Sequence, residues 1–228
     1  MSDTLGTFRP TWEIGPVLSR SWNLFKANAG ILVGSVVVIA VTSGVLSSIT
    51  QGAQVLAQQS GEEAVLVAAG LVGLVVGILS WAIQTFLGLG FARMMLHIVR
   101  GEPTSFGDLF SGRDVIVTGL LAGLVVALAT LAGTCFLVVP GVILALGMMM
   151  VSWVVVDQGL GPVEAMKESW RLTGGEKGRL FLWALAACGL ALVGLLACCV
   201  GLFVALPVLG LGTTIIYDEL VRAKKPAG

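Results

Sequence analysis

The sequence predicts an all-α, polytopic membrane protein: six transmembrane helices arranged as three hairpins, each preceded by a cytoplasmic interfacial amphipathic helix. Three observations lead there. The thirteen lysines and arginines leave residues 27–92, 114–166 and 180–221 with none, and each gap is long enough for two bilayer crossings at about 20 residues each. Hydrophobic residues make up 57% of the chain and charged residues only 11%, against ~25% charged in soluble domains, and the mean hydropathy is +0.99. Finally, a short amphipathic segment stands ahead of each gap. All 228 residues read as one integral membrane domain, with hairpin modules over about 11–99, 104–157 and 161–222.

Apolar runs and their interrupters place the spans. The first covers about Ile31 to Ile49 and leads to a polar outer loop from Gln51 to Glu63. The second starts near Ala64 and stays helical to about Val99, where Gly101 and Pro103 stop it; its end, with Arg93, His97 and Arg100, either projects into the cytoplasm or lies tilted. The third runs from about Val115 to Gly133. Pro140, suited to the first turn of a helix, leads into the fourth, which ends near Val156. The fifth covers about Leu180 to Val200 and the sixth about Val204 to Tyr217, with Pro207 in its first turns. The basic residues all lie in the N-terminal segment, the second and fourth connections and the tail, so the positive-inside rule puts both termini in the cytoplasm. Met1–Pro10 lacks a basic n-region followed by an apolar h-region, so no cleaved signal peptide is expected.

The amphipathic segments repeat. Gly15-Pro16-Val17 leads to Ser21-Trp22-Asn23-Leu24, and Gly161-Pro162-Val163 to Ser169-Trp170-Arg171-Leu172. In the first copy Val17, Leu18, Ser21, Trp22 and Phe25 share a face opposite Arg20, Asn23 and Lys26. In the second Val163, Met166 and Trp170 oppose Glu164, Lys167, Glu168 and Arg171. A shorter copy precedes the third span, where Phe106, Leu109 and Phe110 alternate with Asp108 and Ser111. Helices of this kind lie at headgroup level, aromatic side chains at the boundary and basic ones toward phosphates. Either they anchor the loops and set hairpin depth, or they form a cytoplasmic collar that binds lipid headgroups or a partner. The residues that would carry the second role are Trp22, Lys26, Arg93, His97, Arg100, Phe106, Phe110, Lys167, Trp170 and Arg171.

Several of these strings carry a resemblance. Ser105-Phe106-Gly107-Asp108-Leu109-Phe110-Ser111-Gly112, Val139-Pro140-Gly141-Val142-Ile143, Gly161-Pro162-Val163-Glu164-Ala165, Ser169-Trp170-Arg171-Leu172-Thr173 and Tyr217-Asp218-Glu219-Leu220 look like signatures of a broad, largely uncharacterised group of bacterial six-span membrane proteins. That group resembles the membrane domain attached to some glycerophosphoryl diester phosphodiesterases. The likeness covers roughly residues 12–222. It implies an all-helical domain in the bacterial inner membrane. The spans use up these 228 residues, so the phosphodiesterase barrel and its activity are not carried over.

Chemistry-bearing residues are sparse. The one histidine, His97, stands beside Arg93 and Arg100, and no nucleophile elbow, P-loop or zinc-binding motif occurs. No enzyme, metal or cofactor is expected, and no basic block outside the membrane-flanking segments suggests nucleic acid. Cys135 could pair with Cys198 or Cys199 across the outer face, or all four cysteines are small apolar packing residues. No span carries a mid-depth charge; Gln84, Thr85, Ser47 and Ser48 are the intramembrane polar groups, best read as interhelical hydrogen-bond partners. Asp157, Asp218 and Glu219, at cytoplasmic helix ends, are expected to form an ion-paired rim with Arg93, Arg171 or Arg179. Gly30 with Gly34, Gly73 with Gly77 and Gly119 with Gly123 have the spacing of close helix packing. The expected function is non-enzymatic: organising or binding membrane lipid, or a membrane partner, which includes a second copy of the chain. A small transporter, channel or lipid translocator is one alternative. A lipid-metabolising enzyme, which would need His97 and carboxylates in one pocket, is another.

Overall fold

A computed structural model describes residues 12–136, 138–196 and 201–224. Its helices are α1 (Ile14–Ser60), α2 (Glu63–Arg100), α3 (Ile116–Phe136), α4 (Val138–Met148), α5 (Val151–Gln158), α6 (Pro162–Thr173), α7 (Lys177–Leu196) and α8 (Leu202–Lys224), with two 3₁₀ turns, Phe106–Phe110 and Gly112–Asp114, before α3. No strand occurs among the described residues. Five helical segments among them are long and apolar enough to cross a bilayer, with α4 and α5 together supplying one. A sixth is reached if Phe106–Asp114 and Ile116–Ala129, bent by 81° at their junction, are counted as one span. The protein is all-helical and has the helices of a membrane protein.

Helix ends follow local chemistry. α1 breaks at Asn28, whose φ of −123° and ψ of 20° separate the amphipathic Gly15–Ala27 stretch from the apolar run. The Asn28 amide donates back to the Leu24 carbonyl at 3.0 Å, a local bond that competes with the helix ladder. Beyond the break, α1 does not end near Ile49. The Gln- and Ala-rich segment through Ser60, expected as a loop, is helical because its residues are good helix formers. The turn shrinks to Gly61 and Glu62, with Gly61 supplying the left-handed cap at φ 67°. Gly101 ends α2 the same way at φ 75°, and Glu102 N–H closes on the His97 carbonyl at 2.8 Å.

Neighbours form a closed circuit: α1 packs on α2, α2 on α3, α3 on α4, α4 on α7, α7 on α8 and α8 back on α1. Inside it, α2 meets both α5 and α8. In α8's most apolar stretch 67% of residues are buried, against 6% in that of α2, so α8 is a central post and α2 is exposed along much of its length. The core gathers at the charged end of the bundle, where Met94, Leu96, Met150, Leu172, Leu180, Trp183, Ile215, Ile216 and Tyr217 are buried. Toward the other end, Val41, Leu56, Val67, Leu71, Leu74, Leu185 and Val193 are exposed, an apolar surface that suits hydrocarbon rather than water.

Close helix approach falls mostly at glycines other than the expected pairs. Nothing lies near a Cβ built on Gly30 or Gly77, whereas one built on Gly90, Gly147, Gly210 or Gly212 would overlap a neighbouring element. Of the expected set, Gly119 alone makes such an approach, against Leu89.

Candidate functional site

Each amphipathic segment docks on the second helix of a pair at one of those glycines. The Phe106–Phe110 turn lies on α2, where the Leu109 carbonyl occupies the space of a Gly90 side chain. The Trp170 ring covers Gly147 of α4. Trp183 fills the space beside Gly212 of α8, with Ser21 Oγ 3.2 Å from where a Cβ would stand.

Ser169 shows why a small polar residue is needed in this place. The chain breaks at Met149–Met150 between α4 and α5, which frees backbone groups in a buried position. Ser169 Oγ donates to the Gly147 carbonyl at 2.8 Å and accepts from Met150 N–H at 3.3 Å, and Thr173 adds a longer bond to the same carbonyl at 3.4 Å. One hydroxyl thus satisfies both sides of a helix break that would otherwise carry unpaired polar groups. In α6, Ala165, Ser169, Leu172 and Thr173 face the bundle, while Val163 and Trp170, expected on the apolar face at the membrane boundary, are exposed. Likewise in α1, Val17, Ser21 and Phe25 point inward and Leu18 and Trp22 outward.

The singled-out residues fall into three groups. Trp22, stacked on Phe25 at 5.7 Å between centroids, lines an apolar cavity of about 570 Å³ with Leu18, Leu190, Val193, Val204 and Val208; Lys26 is exposed one turn on. Arg93 donates to the Ser111 carbonyl and pairs with Asp114, at 2.7 and 2.8 Å, so it staples the 3₁₀ turns to α2. His97 sits beside the same turns, Nε2 3.7 Å from Glu102 and Nδ1 3.8 Å from Asp108, and Phe106 and Phe110 meet edge to face at 6.1 Å, both exposed. On α6, Lys167 is exposed, the Lys177 ammonium stands 3.3 Å over the Trp170 ring, and Arg171 pairs with Glu168 at 2.6 Å. That pairing holds the Glu168 carboxyl below its ordinary range and raises Arg171. A depressed carboxyl contributes stability above its unfolded pKa and loses it as pH falls through the folded value, so this clasp is intact at neutral pH.

Arg100 belongs to a separate network. It bonds Asp157 through two nitrogens, at 2.5 and 2.9 Å, and Asp218 at 3.2 Å. Arg222 reaches the other Asp218 oxygen at 2.7 Å, Tyr217 O–H donates to Asp157 at 2.9 Å, and Gln158 donates to Tyr217 at 3.3 Å. The expected rim exists, but its cation is different. Asp157 and Asp218 meet Arg100, whereas Arg93 and Arg171 take Asp114 and Glu168, and Arg179 pairs with Glu176 at 3.4 Å. An i,i+3 spacing could suggest Glu168–Arg171 and Glu176–Arg179; Arg93 and Asp114 are 21 positions apart and the Arg100 network joins residues 57 and 118 positions apart, which no local pattern reveals.

A second cavity, of about 470 Å³, lies between α2, α3 and α5, lined by Gln84, Thr85, Gly88, Met95, Gly119, Ser152 and Trp153 among others. Gln84 donates to Ser43, as the interhelical reading expects, while Ser48 bonds within its own helix. Cys188 is exposed and free; a Cys135 bond to Cys198 or Cys199 lies outside what the described residues show. Among the described residues no group of His, Cys, Asp and Glu is arranged to hold a metal ion.

No family model matches the chain, and no solved structure matches it significantly. Over 239 aligned residues it is 30% identical to uncharacterized protein Mb2590 of Mycobacterium bovis and to uncharacterized protein MT2637 of Mycobacterium tuberculosis. It is 28% identical to uncharacterized protein Rv2560 of Mycobacterium tuberculosis. Each alignment takes in 95% of this chain and 72% of the relative. With its apolar helices and that shared length, the chain belongs to the family of these mycobacterial proteins.

Proposed function

We propose that the protein is a non-enzymatic integral protein of the bacterial inner membrane, with both termini cytoplasmic, that organises lipid or a membrane partner through its amphipathic segments. In this reading α1 with α2, α3 with α4–α5, and α7 with α8 are three hairpins of one repeated module, each opened by an interfacial helix. The carrying observation is the way the segments sit. Each meets a membrane-type helix at Gly212, Gly90 or Gly147; the first two leave Trp22, or Phe106 and Phe110, exposed at the basic end, and in the third the Trp170 ring itself covers Gly147 while staying 39% exposed. Loop anchoring would not need rigid mounts that each keep an aromatic group at the surface. In the same proposal residues 12–222 are taken to be related to the membrane domain of glycerophosphoryl diester phosphodiesterases. The cavity beside the α4–α5 break favours a translocator as the second reading, which requires a hydrated path through it.

A reporter active only outside the cytoplasm is expected to be active when fused after Ser60 and inactive after Gly175 or Gly228; the reverse pattern overturns the orientation. For the lipid role, protein purified in mild detergent is expected to carry phospholipid, to melt at a lower temperature once stripped, and to recover when lipid is returned. The triple variant Trp22→Ala, Phe110→Ala, Trp170→Ala should retain less lipid. Stripped protein that melts unchanged, with a triple variant that binds lipid normally, rules the collar out.

A further inference from the structure

The ends of α2, α5 and α8 and the flank of α6 enclose a cavity of about 550 Å³ lined by Arg100, Asp157, Gln158, Glu168, Arg171, Asp218, Val221, Arg222 and Lys224. Its charges are layered. The side chains of Asp218, Asp157 and Glu168 are 6%, 13% and 18% exposed, whereas those of Arg171 and Arg222 are 55% and 68% exposed. Arg100, 28% exposed, lies among the acids and pairs with Asp157 and Asp218, so the floor holds three carboxylates around one arginine and the rim is basic.

The cations are also unequally engaged. Lys224 gives hydrogen bonds to the Arg171, Leu172 and Gly174 carbonyls, each at 2.8 Å, which uses all three of its protons and caps the end of α6. It therefore positions the wall and has nothing left to offer a ligand. Arg222 meets Asp218 through one nitrogen, so most of its five donors remain available. Asp218 accepts from Arg100 and Arg222, and Glu168 accepts twice from Arg171 and once from Gln158; with about four acceptor sites on a carboxylate, each keeps capacity for one more donor.

From this layering we propose that the cavity binds a phosphoester carrying a primary amine: the phosphate on Arg222 and Arg171 at the rim, the ammonium on Asp218 and Glu168 below. The proposal deepens the lipid reading and rests on it where the source is phosphatidylethanolamine; soluble phosphoethanolamine offers the same chemistry. A primary ammonium donates three hydrogen bonds to the floor. A choline group has no N–H to give, and a glycerol headgroup brings no positive charge to the acids, so both should be rejected.

The test uses the full chain in detergent, with melting temperature and native mass spectrometry read against dihexanoyl phosphatidylethanolamine, phosphatidylcholine and phosphatidylglycerol, and against phosphoethanolamine. The ethanolamine lipid should raise the melting temperature and persist as a bound species, and the choline lipid should do neither. Arg222→Gln and Glu168→Gln should each weaken ethanolamine-lipid binding about tenfold, the scale of one charge-assisted hydrogen bond. Phosphoethanolamine binding as tightly as the lipid identifies a soluble ligand; binding of the lipid alone identifies a membrane one. Equal response to the ethanolamine and choline lipids, or preference for the glycerol lipid, overturns the site. So do two folded variants that bind normally, and if either variant fails to fold the comparison of lipids on the parent protein decides. Copurified phospholipid without this preference removes the site and leaves the collar standing, whereas protein that binds no phospholipid defeats both.

Discussion

Gly90→Ala is expected to abolish the monodisperse folded protein, or to cost about 3 kcal/mol or more where a folded fraction survives, the upper end of what overpacking does. A methyl group there would overlap the carbonyl carbon and oxygen of Leu109 and press on the Asp108 carbonyl. These are backbone atoms that cannot swing aside as a side chain can. They are fixed in turn by the Arg93 bond to the Ser111 carbonyl and by the Ser105–Asp108 capping box. Gly77→Ala, in the same helix with nothing near the added methyl, should be neutral or should stabilise by about 0.5–1 kcal/mol through helix propensity. Melting in one detergent, followed by size exclusion, separates the two. Similar losses at both positions would mean that helix flexibility, rather than the seat for the Phe106–Phe110 turn, is what glycine provides in α2.

The second large effect is at Arg100. Arg100→Gln removes the cation that pairs with Asp157 and one of the two that pair with Asp218, leaving the Asp157 carboxylate without a cation and Asp218 with Arg222 alone. Breaking such a pair from one side costs about 3–5 kcal/mol when fully buried; with Arg100 itself part-exposed, about 2–3 kcal/mol is expected here. Arg100→Lys should recover only part of this. A point ammonium cannot hold both Asp157 oxygens and reach Asp218 as a planar fork does. Chemical or thermal unfolding of both variants measures the difference, and a lysine variant as stable as the parent would show that charge alone, without fork geometry, holds the three helix ends together.

The membrane character was legible because it depends on composition and on gaps in basic charge, both one-dimensional properties. The ends of α2 at Gly101 and the start of α6 at Pro162 were legible for the same reason, since each depends on a residue with special backbone behaviour. The helical run from Gln51 to Ser60 was not, because its polarity suggests a turn although glutamine and alanine favour helix. Ser21 and Ser169 illustrate a deeper limit. Their place in a repeated Ser-Trp string could be read, and with it the amphipathic segment. Where those side chains dock could not, because Ser169 and Trp170 both meet Gly147, more than 20 residues away, and Ser21 meets Gly212, nearly 200 away. The basic neighbours of Arg100 suggest a lipid or partner contact; that it joins three helix ends through Asp157 and Asp218 is a tertiary fact.

The closed circuit of helices has a consequence for the order of synthesis. As the chain emerges, the Phe106–Phe110 turn finds α2 already made, and α6 finds α4 and α5 already made, so both can seat at once. The amphipathic start of α1 has no such luck: of the described helices, the one bearing Gly212 is translated last. Until α8 is inserted, the face formed by Val17, Ser21 and Phe25 lacks its seat on that helix, and the earliest of these segments to be built is the last to be finished.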